Sequence, residues 1–292
     1  MSGFKKLLAT TKYTAKSILM QDTRKKVNLF IIGEQKCGTT SLFSLLTYNQ
    51  SVLGAANKEC HYFNSTKFEQ DINFKNYHHC FRHTLNHNYA YLVDASPDYL
   101  SDNSAYNRIY DYNPKAKIIV ILRNPVSRFI SAYNFYFSNI IQNLDWVYNQ
   151  YFQYTDKGRS EYQYLKQHPA ITIENFLNDE IDGKSPLQAL SRGKYFSHIR
   201  KWQQCYGIEN LCLVSFEHFI DSITSLVEIK KLEGFLQLTL NKSVPYKNIS
   251  MKKKTVSGKV LQTLEAIYRP EMEIMYSIFN KPDGSGNVNS IG

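Results

Sequence analysis

A short loop containing a lysine and two glycines has the residue types that bind phosphate. Residues 33–41 read GEQKCGTTS, with the glycine spacing of a P-loop and with Lys36 inside the loop. Glycines let successive backbone N–H groups turn toward an anion, and the following helix adds its positive end. In nucleotide hydrolases a lysine follows the second glycine and reaches the β- and γ-phosphates. Because Thr39 holds that position here, the loop predicts a phosphate site that is not that of a nucleoside triphosphatase.

The displaced lysine suggests a different donor chemistry. Lys36 would lie near the bridging oxygen of a 5′-phosphosulfate, where negative charge grows as the S–O bond breaks. The residues expected to bind the 5′-phosphate through backbone and hydroxyl groups are Cys37, Gly38, Thr39, Thr40 and Ser41. A glycine-containing turn between a strand and a helix is common, so this loop alone leaves other ligands open.

A second candidate anion site follows a later apolar run. Residues 121–133 read ILRNPVSRFISAY, which places Arg123 after a predicted strand and Ser131 inside the helix that follows. Arginine offers a fixed fork of donors that suits a terminal phosphate. A nucleotide with a separate 3′-phosphate needs such a second site, whereas ATP does not. Taken alone, Arg123 could equally be a surface ion-pair partner.

Together these motifs resemble those of the sulfotransferase family that uses 3′-phosphoadenosine 5′-phosphosulfate (PAPS), especially its heparan sulfate and bacterial branch. The loop EQKCGTTSL is similar to that family's 5′-phosphosulfate loop, and LRNPVSRFISAY is similar to its 3′-phosphate motif. Further similar stretches are NKECHYF, DASPDYL, YFSHIRKW and VLQTLEAIYRPEMEIMY. The likeness covers most of residues 27–276 and implies PAPS as cofactor, 3′,5′-ADP as product and no metal.

The resemblance also implies roles for individual residues. Glu59 would be the catalytic base, although on its own it could be a surface carboxylate paired with Lys58. His61 would orient Glu59 or the acceptor, or have only a packing role. Tyr195 matches a helix that approaches the nucleotide. Cofactor contact is also implied for a lysine run that could otherwise be a solvated face, namely Lys252, Lys253 and Lys254.

Two departures from the family pattern affect the expected acceptor and location. Heparan-type members carry a lysine where this chain has Ala95, next to an acidic position that Asp94 matches. The first residues also lack the Golgi targeting helix of those relatives, which predicts an enzyme outside the secretory pathway.

Apolar runs alternating with helical patterns predict the elements that position these residues. Strands are expected at residues 27–33, 88–97, 116–125 and 210–219, and helices after the phosphate loop, after Pro125 and at residues 194–207. This alternation predicts an α/β fold, with one P-loop-type domain and a central, mostly parallel sheet flanked by helices.

The chain divides into three parts on the same grounds. Residues 27–280 would form the sulfotransferase domain, in which the polar and aromatic stretch 138–190 would supply helices and loops over the cleft. Residues 281–292 have the turn-rich composition of a flexible tail. Residues 1–26 form a basic, amphipathic helical pattern that could pack on the domain or, through residues 1–20, contact an anionic membrane.

Composition limits the choice of partners and compartment. A net charge of +10 predicts anionic ligands without naming them. The five cysteines form no C-x-x-C pair, and no apolar run is long enough to cross a bilayer, so we expect a cytoplasmic protein with reduced thiols and no zinc site. The histidines His78, His79 and His83 lack supporting thiolates or carboxylates, so no metal is expected there. Nothing in the sequence indicates an oligomeric state.

The most consistent function is transfer of a sulfuryl group to a hydroxyl or amine, on a carbohydrate or glycolipid. One alternative is a P-loop kinase acting on a small molecule, which would need ATP and magnesium. Another is a non-enzymatic protein that binds polyanions, although no clustered basic stripe or nucleic-acid motif supports a nucleic-acid partner.

Overall fold

Residues 26–71, 74–81, 88–240 and 256–280 are described by the computed structural model, and they form alternating strands and helices. The strands are β1 (Leu29–Ile31), β2 (Val52–Gly54), β3 (Tyr91–Asp94), β4 (Lys117–Leu122) and β5 (Leu211–Ser215). The helices are α1 (Thr39–Thr47), α2 (Lys67–Gln70), α3 (Lys75–His78), α4 (Ala105–Tyr112), α5 (Pro125–Asn134), α6 (Leu144–Gln150), α7 (Gly158–Gln167), α8 (Ile173–Ile181), α9 (Tyr195–Tyr206), α10 (Phe216–Ile220), α11 (Ser225–Leu236) and α12 (Gly258–Phe279). Short 3₁₀ segments lie at His79–Phe81, Pro97–Tyr99, Ile141–Asn143, Phe152–Tyr154 and Ser191–Gly193, and a π-helical segment, Phe135–Ile140, continues α5.

Within the described residues, the strands form one parallel sheet in the order β2-β3-β1-β4-β5. On one side of β1, Leu29 lies opposite Val93 of β3, and on the other side Phe30 lies opposite Ile118 of β4. The chain leaves β1 and β4 in opposite directions along the sheet. In open α/β sheets, ligands bind outside the carboxyl ends of strands at such a reversal. The predicted parallel α/β architecture is confirmed, and the phosphate loop and Arg123 follow the two strands that flank the reversal.

The strongest strand predictions correspond to the most buried strands. Four successive residues of β4, from Ile118 to Ile121, are fully buried. Strands of a parallel sheet are covered on both faces, so they appear in the sequence as continuous β-branched and aliphatic runs. The predicted strands at residues 27–33, 88–97 and 116–125 each contain an observed strand, which is shorter because the flanking residues belong to loops.

One predicted strand is partly wrong, and one strand was missed. Residues 210–219 were predicted as a single strand, but β5 ends at Ser215 and Phe216–Ile220 form α10. The Ser215 hydroxyl accepts a hydrogen bond from the amide of His218 at 3.3 Å, which caps the helix and ends the strand. Strand β2 was not predicted because a run of three residues is too short to show a periodic pattern.

Helices cover both faces of the sheet. Crossovers between parallel strands are right-handed as a rule. The crossover through α1 steps toward β2, whereas those through α4 and α9 step toward β5, so this rule puts α1 on the opposite face from α4 and α9. Helices α4 and α9 pack directly against each other, with the rings of Tyr106 and Trp202 6.4 Å apart. The predicted helix at residues 194–207 is observed as α9, and it ends at Gly207 as expected.

A second hydrophobic cluster lies beside the sheet. Phe129 of α5 stacks on Phe176 of α8 with ring centres 5.4 Å apart, and Leu264 and Tyr268 of α12 complete this cluster. The helices expected within residues 138–190 are therefore present as α6, α7 and α8. That they cover a cleft stays a prediction.

Two predicted terminal regions cannot be compared with these elements. The amphipathic pattern at residues 1–26, except Lys26, and the tail at residues 281–292 lie outside the described residues. Among the helices that are described, none has the length and hydropathy needed to cross a membrane.

Candidate active site

The loop between β1 and α1 passes so close to its neighbours that only glycine fits at two positions. A Cβ on Gly33 would lie 2.4 Å from the backbone oxygen of Ile121 in β4. Gly38 has a φ of 93°, and its Cβ would lie 2.4 Å from the Phe216 ring. Positive φ and close backbone approach both require glycine. The glycines that predicted the phosphate loop are therefore required by its backbone path.

Hydrogen bonds inside the loop leave several amides available to a ligand. The amide of Cys37 donates to the carbonyl oxygen of Glu34 at 3.0 Å. In the described part of the chain, the amides of Gly38, Thr39 and Thr40 donate to no backbone oxygen. They lie at the N-terminus of α1, where unpaired N–H groups and the helix dipole favour an anion.

Arg123 and Lys36 bring two cations together at the ends of adjacent strands. Arg123 Nη1 donates to the carbonyl oxygen of Lys36 at 3.1 Å, and Lys36 Nζ lies 4.3 Å from the centre of the Phe135 ring. Burial, and then the charge of Arg123, lowers the pKa of Lys36. Arg123 Nε is buried and has no hydrogen-bond partner among the described residues. Two cations this close, one with an unused donor, favour the binding of an anion.

Tyr195 and Cys37 support this arrangement from inside the protein. The Tyr195 hydroxyl donates to the carbonyl oxygen of Arg123 at 2.9 Å and lies 3.7 Å from Cys37 Sγ. Both side chains are fully buried, and burial raises the pKa of the Cys37 thiol to about 12. Direct contact of either residue with a nucleotide stays a prediction.

Ser131 lies on α5, the helix that begins directly after Arg123. Asn124 caps this helix by accepting a hydrogen bond from the amide of Ser127 at 3.0 Å, and Pro125 occupies its first position. Ser131 is half-buried on α5. Its predicted contact with a 3′-phosphate stays a prediction.

Glu59 lies between a lysine and a histidine beside the phosphate loop. Its Oε1 is 2.5 Å from Lys58 Nζ, and its Oε2 is 3.1 Å from His61 Nε2. Lys58 also donates to the Thr39 hydroxyl at 3.3 Å, at the start of α1. The Glu59 side chain is 40% exposed, so an acceptor can reach it. The predicted base is thus connected to the predicted donor site through a single lysine side chain.

Opposing influences set the charge state of Glu59. Burial raises the pKa of Glu59, but the hydrogen bond from His61 and the charge of Lys58 outweigh burial and lower it below its ordinary value. Glu59 is therefore ionised at neutral pH and can accept a proton. A carboxylate held by two donors is also fixed in orientation, as a general base requires.

Behind His61 lies a set of buried charges. His61 Nδ1 is 3.8 Å from Asp98 Oδ2, which accepts a hydrogen bond from the Tyr151 hydroxyl at 2.5 Å. Arg192 donates to the other oxygen of Asp98 and, through Nε, to Glu34 Oε1 at 2.8 Å. Glu34 is fully buried and belongs to the phosphate loop. These contacts connect both halves of the candidate site through the interior.

The charges in this region strongly affect one another. Burial raises the pKa of Asp98, but Arg192, His61 and the Tyr151 hydrogen bond outweigh burial and lower it to about 2. Nearby Glu161 behaves in the opposite way: burial raises its pKa to about 7, since the charge of Arg192 offsets burial only in part. Asp98 is thus a permanent anion, whereas Glu161 titrates near neutrality.

Sequence reasoning did not assign four of these side chains to the site. Lys58 was considered only as an ion-pair partner of Glu59, although its place next to the predicted base was a usable signal. Asp98 lies within the similar stretch DASPDYL but carried no assigned role. Glu34 and Arg192 gave no signal, because they are 158 residues apart in the chain.

Asp94 and Ala95, at the departure from the heparan-type pattern, are both fully buried. Asp94 accepts hydrogen bonds from the hydroxyls of Ser96 at 2.7 Å and of Tyr77 and Tyr99 at 3.0 Å each. Burial raises the pKa of Asp94 above its ordinary value. Asp94 therefore organises the chain after β3 and does not reach an acceptor.

The lysine run and the histidine group named in the sequence analysis lie partly outside the described residues. Lys252, Lys253, Lys254 and His83 lie outside the described residues. His78 Nε2 lies 2.9 Å from the Tyr112 hydroxyl. Across the described ranges, no cluster of three histidine, cysteine, aspartate or glutamate side chains could hold a metal ion.

Comparison with known proteins identifies similar sequences. The family model of the sulfotransferase domain matches residues 26–263. Heparan sulfate glucosamine 3-O-sulfotransferase 5 of Mus musculus is 24% identical over 210 residues, which are 71% of this chain and 52% of that protein. Heparan sulfate glucosamine 3-O-sulfotransferase 6 of Homo sapiens is 31% identical over 215 residues, which are 74% and 53% of the two chains. The chain spans about half the length of these relatives.

A solved structure shares the fold. The crystal structure of a sulfotransferase from Alicyclobacillus acidocaldarius superimposes with a TM-score of 0.62, covers 88% of this chain and 97% of that chain, and is 19% identical. The similarity therefore extends over the sheet and the helices on both of its faces.

Proposed function

The chain belongs to the sulfotransferase domain family, and from that premise we propose that it transfers a sulfuryl group from PAPS to an acceptor hydroxyl or amine. The acceptor we propose is a carbohydrate or glycolipid. The printed names of the similar proteins, which concern heparan sulfate glucosamine, support a sugar acceptor.

The observation that carries this proposal is the contact between Arg123 and the carbonyl oxygen of Lys36. It joins a loop suited to a 5′-phosphosulfate to an arginine suited to a 3′-phosphate. The available amides of Gly38, Thr39 and Thr40 and the unused Nε of Arg123 fit a ligand with two separate anionic groups. A nucleoside triphosphate carries its phosphates in one continuous group, so it has no separate 3′-phosphate for Arg123 to bind.

Each group at the site has a distinct task in the proposed reaction. PAPS supplies a sulfuryl group joined to its 5′-phosphate through one bridging oxygen. Glu59 accepts the proton of the acceptor hydroxyl as the new O–S bond forms. Lys36 donates a hydrogen bond to the bridging oxygen, which takes the electron pair of the S–O bond that breaks. Lys58 and His61 hold Glu59 in place, so catalysis depends on positioning and charge stabilisation.

Calorimetric titration with 3′,5′-ADP and with ATP tests the donor assignment. We expect 3′,5′-ADP to bind in the absence of magnesium. We expect ATP to bind only weakly, even when magnesium is present. Magnesium-dependent ATP binding without 3′,5′-ADP binding would instead support a kinase. Retention on heparin or DNA that salt abolishes, with no nucleotide binding, would support a polyanion-binding protein.

A pair of variants makes the titration specific to the site. Arg123→Gln should weaken 3′,5′-ADP binding by at least about tenfold, because a charge-assisted contact to phosphate is lost. Arg269→Gln removes the same charge from an exposed position on α12 and should leave binding unchanged. Equal effects of the two variants would indicate that only overall charge matters, which would contradict a specific 3′-phosphate site.

Two further assays address the acceptor and the cellular location. Release of 3′,5′-ADP from PAPS should increase with heparan-type oligosaccharides or glycolipids, and an increase with none of them would contradict a carbohydrate acceptor. We propose a cytoplasmic enzyme whose residues 1–20 contact membranes, supported by their basic, amphipathic pattern. Flotation with anionic liposomes should recover the full chain but not a form lacking these residues.

A further inference from the structure

A chain of buried charges connects the phosphate loop to Glu59. We define this buried charge chain as Glu34, Arg192, Asp98 and His61, which contact one another in that order. Glu34 lies two positions before Lys36, and His61 contacts Glu59. The buried charge chain thus runs from the loop that carries Lys36 to the histidine that contacts Glu59. In the proposed reaction, Lys36 and Glu59 act on opposite sides of the transferred sulfuryl group.

Stability alone is a weak reason for such an arrangement. The side chains of Glu34, Asp98 and Arg192 are only 0%, 10% and 13% exposed, so folding removes three charges from water. Buried ion pairs seldom return more free energy than their desolvation costs, and apolar replacements of similar volume are often as stable. What a charged cluster provides is fixed geometry, because each group has few positions in which its charge is compensated.

His61 is held in a single orientation from several directions. Its backbone has a φ of 46°, and its amide donates to the Ser96 hydroxyl at 3.0 Å. The imidazole ring lies 4.4 Å from the ring of Tyr151, between centres. One ring nitrogen faces Glu59, and the other, Nδ1, is buried without a hydrogen-bond partner in the described residues and faces Asp98 at 3.8 Å.

The 3.8 Å between His61 Nδ1 and Asp98 Oδ2 is too long for a hydrogen bond, but a charged carboxylate still interacts strongly with the ring at this distance. An imidazole that carries a proton on both nitrogens can face both carboxylates at once, so the charge of Asp98 favours ring orientations in which Nδ1 points inward. Nε2 then points toward Glu59. Arg192 prevents Asp98 from turning away, since it binds the other carboxylate oxygen.

We propose that Asp98 is a positioning residue for the transfer reaction: it orients His61, which orients Glu59, and Arg192 fixes Asp98 relative to the phosphate loop through Glu34. This inference rests on the proposed function. In-line transfer requires the base and the leaving oxygen to keep a set separation, and a misplacement of about 1 Å can cost about 10²-fold in rate.

The substitution Asp98→Asn tests the inference because it removes the charge and keeps the shape. We expect kcat to fall about 10- to 100-fold, while the Kd of 3′,5′-ADP changes less than about twofold. Among the described residues, the titratable groups that interact with Asp98 are Arg192, His61, Tyr151, Tyr136 and Glu161. Those that interact with Glu59 are Lys58, His61 and Lys36. With His61 misoriented, Glu59 loses part of its stabilisation as an anion, so the acid limb of the pH–rate profile should move to higher pH.

A double-mutant cycle separates positioning from a general structural effect. If Asp98 acts through His61, then Asp98→Asn added to His61→Gln should lower kcat no further than His61→Gln alone. Additive losses would overturn the inference. So would an Asp98→Asn enzyme that melts at a lower temperature but keeps the wild-type kcat and pH profile.

One measurement is independent of catalysis. In ¹⁵N-histidine NMR spectra, His61→Gln identifies the His61 ring signals, and Asp98→Asn should shift them. If the wild-type protein neither binds 3′,5′-ADP nor transfers sulfuryl groups, the proposed function fails, but the NMR shift still tests the contact. Unchanged His61 signals in Asp98→Asn would overturn the inference even in an active enzyme.

Discussion

At the scale of single residues, Glu59 combines access to an acceptor with a fixed orientation. Its carboxylate is 40% exposed yet held by Lys58 and His61. We expect Glu59→Gln to keep the affinity for 3′,5′-ADP and to lower kcat about 10²- to 10⁴-fold, the usual effect of losing a general base. The exposed Glu265→Gln variant serves as control. Turnover at the wild-type rate in Glu59→Gln would show that another group accepts the proton.

The pH dependence of the reaction should reflect the neighbours of Glu59. Lys58 and His61 lower the pKa of Glu59, so the carboxylate of this proposed base stays ionised below the ordinary glutamate value of about 4.3. Lys58→Met removes one stabilising charge and should raise this pKa, which moves the acid limb of kcat/KM to higher pH. The measurement is a pH–rate profile of both enzymes. Identical acid limbs would mean that Glu59 does not control this limb.

Residues of the candidate site were predictable where they lie close together in the sequence. Lys36, Glu59 and His61 each belong to a short motif, so their types and spacing were visible. Asp98 and Arg192 are 94 residues apart, and only the folded chain brings them together. A contact of that kind leaves no local pattern, because it depends on how the segments around α9 and β3 are placed in space.

At the scale of elements, the loop between β1 and α1 tolerates no side chain at Gly38. Its φ of 93° is unfavourable for other residues, and an added Cβ would lie 2.4 Å from the Phe216 ring. We therefore expect Gly38→Ala to abolish measurable 3′,5′-ADP binding and to lower the melting temperature. Calorimetry and thermal unfolding provide the two measurements.

Gly234 offers a matched control with the opposite expected sign. It lies inside α11, and an added Cβ would meet no atom within 4 Å. Gly234→Ala should stabilise the protein by about 0.5–1 kcal/mol, because alanine loses less conformational freedom in a helix. Equal destabilisation by both substitutions would contradict the special backbone requirement at Gly38.

The elements themselves were predictable to the extent that burial leaves a pattern. β4 is buried on both faces, so its apolar run was evident, and α9 showed a regular amphipathic period. The boundary between β5 and α10 was missed because the apolar residues continue across Ser215, while the hydroxyl that ends the strand acts through one hydrogen bond. Strand order could not be predicted, since each strand is compatible with several neighbours.

At the scale of the whole molecule, two hydrophobic clusters meet around the candidate site. The sheet cluster carries the phosphate loop and the segment with Glu59, whereas α5, α6, α7, α8 and α12 supply the second cluster. Tyr151, from the second group, contacts Asp98, which follows β3. The site therefore depends on the docking of both clusters, a feature that composition and periodicity do not encode.

The stability of the whole molecule should fall at low pH because of Asp98. Its pKa is lowered to about 2 in the folded protein, compared with about 3.9 in an unfolded chain. Between these values the unfolded chain binds more protons, so the free energy of unfolding decreases as the pH falls from about 4 to about 2. In Asp98→Asn this part of the pH dependence should be flatter. Urea unfolding at several pH values measures both slopes, and equal slopes would contradict the assigned ionisation.

Glu161 should affect stability in the opposite direction and in a different pH range. Its folded-state pKa is raised to about 7, above the unfolded value of about 4.3, so here the folded protein binds more protons. The stabilisation from protonated Glu161 is fully present below about pH 4 and is lost as the pH rises toward 7. In Glu161→Gln, the free energy of unfolding should therefore decrease less between pH 4 and 7, while its change between pH 2 and 4 should stay the same. If Asp98→Asn also reduced the decrease in unfolding free energy between pH 4 and 7, the two carboxyl groups would titrate as one coupled unit. The separate assignment of the two pH ranges to Asp98 and Glu161 would then be wrong.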